Sequence, residues 1–193
     1  MPRLALLVLA VALAGCGSRP ASELPPAAAT VTPGATVTAA GRTFAITADG
    51  LRAGDQELAT GVEPAALATV DDGRTVASLA VRGRVLELFD ARTLRRTGRA
   101  DAGVGPYGLA SDGGNYLYVT DVKLGAVLVF RARPELQLIR RLALPGGPTE
   151  IVYDRERRRI LVTLSGTGET AELRVGARID VLRRFKDGDA PGR

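Results

Sequence analysis

The feature that most limits what this chain can become is a repeat. Pro64, Pro106 and Pro148 recur at an interval of 42 residues, and Gly41, Gly83 and Gly125 keep the same interval. A fourth pair, Gly168 and Pro191, follows after one extra residue, and each Gly stands 23 residues before its Pro. The clearest copy runs from Val104 to Pro148, with Gly-Pro at both ends and four short apolar runs between them. The third and fifth residues after each Gly are Phe44 and Ile46, Leu86 and Leu88, Leu128 and Phe130, Ala171 and Leu173. Apolar side chains two apart share one face of a strand, so each copy is expected to place the same strand in the same register.

A period of about 40 to 45 residues carrying four strands is the signature of a β-propeller blade. The expected fold is all-β and propeller-like, with about 3.5 to 4 four-stranded blades of ~42 residues. Full blades are expected over residues 62–103, 104–146 and 147–189, preceded by the outer half of another over 41–61.

The run GPYGLASDGGNYLYVTD resembles the repeat of the YVTN-family β-propellers, in the quinoprotein amine dehydrogenase-like superfamily. In that repeat Gly-Pro opens the blade, Asp-Gly turns between its first two strands, and Tyr-Val-Thr-Asn closes the second. Gly105-Pro106, Asp112-Gly113 and Tyr118-Val119-Thr120-Asp121 stand in those places. Elsewhere only the apolar character is kept, as in Val76-Ala77-Ser78-Leu79 and Leu161-Val162-Thr163-Leu164. The resemblance covers residues 41–190 and specifies a fold better than it specifies a function.

Before the repeats, Arg3 is followed by an apolar run from Leu4 to Ala14 and then by Leu13-Ala14-Gly15-Cys16. That apolar run is too short for a lasting membrane span, and it reads as a secretion signal over residues 1–15. Leu-Ala-Gly-Cys resembles the bacterial lipobox, which implies lipidation of Cys16 and a membrane anchor facing the periplasm or the cell exterior. Residues 16–40, with Pro20, Pro25, Pro26 and Pro33, read as a Pro/Ala-rich tether. Within it, 26–40 faintly echoes 64–83, which leaves a degenerate half-blade as the alternative.

Composition narrows the chemistry. The chain has no His and a single Cys, so it lacks the commonest general base, the commonest zinc ligand and any intramolecular disulfide. No catalytic residue, metal or cofactor is expected, and the chain reads as a non-enzyme.

Two groups of residues are candidates for binding. Links between blades would bring Glu63, Tyr107, Asp121, Lys123 and Glu150 to one end of a propeller. Positive charge is concentrated at Arg155, Arg157, Arg158 and Arg159, with Arg140-Arg141 and Arg183-Arg184 on outermost strands. These arginines either keep the rim soluble or meet a polyanion such as lipid headgroups. A nucleic-acid partner is not expected.

Propellers usually have four to eight blades. The chain therefore makes a small ring, an open arc, or a shortened relative of a longer parent. Apolar end faces on an open arc would call for a second copy, so a homodimer is the corollary. The leading functional expectation is a non-catalytic, membrane-anchored lipoprotein offering a surface to a protein, peptide or glycan. The alternatives are a propeller enzyme of lactonase or quinoprotein dehydrogenase type, and a degenerate fragment.

Overall fold

The computed structural model describes residues 35–186 apart from 48, 49, 59 and 61. The signal, Cys16, and the tether up to residue 34 lie outside the described residues. The described chain forms four antiparallel sheets of four strands, each sheet built from consecutive segments. The first holds β1 (Thr36–Ala39), β2 (Arg42–Thr47), β3 (Gly50–Ala53) and β4 (Gln56–Leu58). The second holds β5 (Ala66–Val70), β6 (Thr75–Ala80), β7 (Val85–Asp90) and β8 (Arg96–Asp101). In the third are β9 (Pro106–Ser111), β10 (Tyr116–Asp121), β11 (Ala126–Arg131) and β12 (Gln137–Ala143). The fourth has β13 (Pro148–Asp154), β14 (Arg159–Leu164), β15 (Glu169–Arg174) and β16 (Asp180–Lys186).

The leading strands lie side by side in chain order: β1 by β5, β5 by β9, β9 by β13. These are the inner strands of four propeller blades, as the period requires. Among the described residues β13 and β1 do not pack together as the other neighbours do. The blades form an open arc.

Three apolar clusters fill the spaces between neighbouring sheets. Phe44, Leu51, Val76 and Phe89 join the first to the second, and Leu79, Leu86, Leu88, Leu117, Leu128 and Phe130 join the second to the third. Tyr118, Val127, Val129, Ile160, Val162 and Leu173 join the third to the fourth. Each fully buried Leu or Phe is worth about 2 kcal/mol relative to exposure, so aliphatic residues suffice for a core poor in aromatics.

The first blade differs from expectation. In the last three blades the paired apolar positions after Gly83, Gly125 and Gly168 fall on the third strand, β7, β11 and β15. In the first blade Phe44 and Ile46 fall on the second strand, β2. The blade therefore begins one strand late in the repeat. It is completed by the short β3–β4 hairpin, where one strand was expected, rather than being an outer half alone. The cause is local: Gly54, at φ 58°, turns the chain back between Ala53 and Gln56.

Whether a sheet is covered on one side or on two can be read in its central strands. β11 (AVLVFR) is apolar at nearly every position and buried on both faces, as a strand between two neighbours must be. β14 alternates instead: Ile160, Val162 and Leu164 are buried against the third sheet, while Arg159, Leu161 and Thr163 are half-buried on the outer face. On that face Glu172 pairs with Arg159 at 3.5 Å and with Arg183, whose guanidinium lies 5.3 Å from the centroid of the Phe185 ring. At the other end of the arc, Thr43, Ala45 and Thr47 alternate with the buried Phe44 and Ile46.

The described faces at both ends of the arc are thus more polar than those between blades, although Val181 and Leu182 of β16 are exposed.

Candidate functional site

The polar residues of the Tyr118-Val119-Thr120-Asp121 motif are structural. All four residues are buried. The Asp121 carboxylate accepts backbone N–H groups from Val104 (2.7 Å), Gly105 (3.0 Å) and Leu124 (2.9 Å), tying the link that opens the blade to the β10–β11 turn. The Thr120 hydroxyl accepts from the Gly108 N–H at 2.8 Å and donates to the Thr149 carbonyl at 2.5 Å, bridging β9 to β13. The Tyr118 hydroxyl accepts from the Gly176 N–H of the next blade at 2.7 Å. Burial raises the Tyr118 phenol well above its usual value, so it stays protonated.

Of the five residues expected at the blade links, Asp121 therefore has no carboxylate oxygen free for a ligand. Lys123 is exposed, with its stem lying against Gly105. Glu63 pairs with Arg82 at 3.6 Å, Tyr107 is half-buried, and Glu150 is exposed. Hydrogen bonds and ion pairs among the described residues do not draw these five into one cluster.

The opposite end of the arc is concave. Its turns are linked by backbone hydrogen bonds from blade to blade: Ala40 N–H to the Gly73 carbonyl at 3.1 Å, and Asp72 N–H to the Gly113 carbonyl at 3.0 Å. Inside this rim lies a cavity of about 760 Å³ lined by Thr38, Asp72, Asp112, Tyr153, Arg155 and Arg158, among others. A second hollow of about 280 Å³ shares Thr69, Gly113, Tyr153 and Arg155 with it and runs along the inner strands past Leu67, Leu109 and Val152. Together they make one groove that follows the inner strands to a charged end.

The charged end is built by local turn chemistry. In the β9–β10 turn the Asp112 Oδ1 accepts from Gly114 N–H at 2.9 Å and Tyr116 N–H at 3.1 Å. In the β13–β14 turn the Asp154 Oδ1 accepts from Arg157 N–H at 3.0 Å. That N–H is the main reason the Asp154 carboxyl sits below its ordinary value.

The expected basic patch is divided by this geometry. Arg157 turns back to pair with Asp154 at 3.3 Å, and Arg159 leaves for Glu172 on the end face. Arg155 and Arg158 are exposed, line the cavity and form no ion pair among the described residues. Of the outer-strand arginines, Arg140 pairs with Asp180 at 3.7 Å and Arg184 with Glu169 at 3.9 Å. Among the described residues no three His, Cys, Asp or Glu side chains gather as a metal site would require.

The cavity draws on turns from three blades, so no local motif announces it. Its signal in the sequence is the period itself. Asp71-Asp72-Gly73, Asp112-Gly113-Gly114 and Arg155 to Arg158 occupy the same turn in successive units.

No protein-family profile and no curated protein matches the chain. Solved structures do. The periplasmic gluconolactonase PpgL of Pseudomonas aeruginosa matches with a TM-score of 0.64 at 16% identity, over 80% of this chain and 54% of that one. A protein from Lactobacillus plantarum matches with a TM-score of 0.65 at 16% identity, over 80% and 55%. Hydrazine synthase of Kuenenia stuttgartiensis matches with a TM-score of 0.55 at 22% identity, over 67% and 38%. At such identities the likeness shows the propeller fold. The chain spans about half the length of the first two and less of the third.

Proposed function

We propose, starting from a four-bladed propeller arc whose concave side is open, that the protein is a lipid-anchored, extracytoplasmic binding module without catalysis of its own. Cys16 carries the anchor, the tether holds the arc off the membrane, and the groove along the inner strands is the working surface. One observation carries this reading: Arg155 and Arg158 line a 760 Å³ cavity, a size suited to a small ligand, and form no ion pair among the described residues. Charge that lines a hollow is of use in recognition, whereas the other clustered arginines mostly serve the fold. The enzyme alternative draws on neighbours such as PpgL, which shares 16% of residues with this chain.

The test has two arms in intact cells. Metabolic labelling with palmitate should mark the protein and be lost in Cys16→Ser, with loss of membrane fractionation. A photo-crosslinking residue in place of Val152, in the groove, should capture a ligand that the same residue at Thr47, on the end face, does not. Capture at both positions alike, or at neither, defeats the binding reading.

A further inference from the structure

Resting on that reading, we propose that the groove takes a short, extended peptide with free termini. The charged end contains two carboxylates, Asp72 and Asp112, and two guanidiniums, Arg155 and Arg158, all lining one cavity. Neither arginine pairs with either aspartate among the described residues, so opposite charges face the same space without neutralising each other. A ligand with only negative charge gains from the arginines and loses to the aspartates, and the two Coulomb contributions largely cancel. A ligand bearing both charges gains from both walls. The carboxylate of a peptide fits the forked guanidinium geometry, and its ammonium suits the carboxylates.

The rest of the groove selects the body of the ligand. Leu67, Leu109 and Val152 line the 280 Å³ hollow that continues from the charged end, and Val152 is 61% exposed. The inner strands β5, β9 and β13 are each the edge of their own sheet. Their outward N–H and C=O groups are the kind of row to which an extended peptide backbone adds. Charge and strand edge point to the same ligand class, and a lipid headgroup or a free carboxylic acid uses only part of this set.

Calorimetry on the full lipidated protein in detergent tests the assignment with three probes: Leu-Ala-Leu with free termini, its C-terminal amide and its N-acetyl form. The free peptide should bind, and each blocked form should bind about tenfold or more weakly, the usual worth of a charge-assisted hydrogen bond. Arg155→Ala with Arg158→Ala should weaken the free peptide as much as amidation does, and Asp72→Asn as much as acetylation. All of these side chains are exposed, so circular dichroism should report unchanged folding.

Equal binding of the three probes, or indifference to the substitutions, overturns the proposal. If no probe binds while crosslinking at Val152 still captures a ligand, the peptide assignment falls and the binding module stands. If both experiments are blank, both fall.

Discussion

Asp121 shows how a single buried carboxylate can hold a blade together. It receives three backbone N–H groups, and truncating it would leave all three without an acceptor, the buried Gly105 N–H at roughly 1 to 3 kcal/mol and the two part-buried ones at less. Asp121→Ala should therefore cost about 3 kcal/mol or more in urea unfolding, and Asp121→Asn, which keeps one oxygen, about half as much. Gly108 is needed for a different reason. A Cβ there would stand 2.8 Å from the Thr149 carbonyl oxygen and 2.9 Å from Ile151 Cγ2, so Gly108→Ala forces β9 away from β13. The expected loss is about 1 to 3 kcal/mol, seen as a lower melting temperature.

Asp90 gives a pH dependence. The Thr93 backbone N–H, followed by the Thr93 hydroxyl, holds its carboxyl below the ordinary 3.8. A lowered value means that the stabilisation is complete above the ordinary value and is lost as pH falls through the lower, folded one. Urea midpoints of the protein and of Asp90→Asn, measured between about pH 5 and pH 2, should converge as the pH drops.

At the level of strands and turns, the legible part of the fold was set by side-chain alternation over six or more residues. β6, β7, β10 and β11 carry long apolar runs and appear in the structure where the period puts them. β3 and β4 are four and three residues long, too short to show any alternation, and there the reading merged two strands into one. The motif Tyr118 to Asp121 locates a strand correctly. Its polar groups nevertheless satisfy the protein's own backbone and leave little for a ligand.

Candidate ligand contacts were sought at the blade links, whereas the cavity lies at the other end, among turns that look like ordinary Asp-Gly punctuation. Nothing in Asp112-Gly113 alone distinguishes a turn that only reverses the chain from one that also faces Arg155 across a cavity. The distinction is made by neighbouring blades, which one unit cannot report.

Across the whole molecule the deciding feature is the contrast between inner and outer sheets. The two inner sheets are buried on both faces, while the fourth ends in an ion-paired layer around Glu172. A non-lipidated Cys16→Ser protein is accordingly expected to scatter light as one chain. Replacing Thr163 with Val, Thr170 with Val and Glu172 with Leu together should produce association, because that face would then resemble an inner one. A dimer of the unaltered arc would refute the capping role of that layer.

The same contrast dictates how such a chain can grow. An extra unit set against β14 and β15 of the fourth sheet would have to strip water from the Glu172 ion pairs before it gained any apolar contact. One spliced in at Gly103 would be sandwiched at once between oily sheets. Lengthening a designed descendant therefore costs least in the middle.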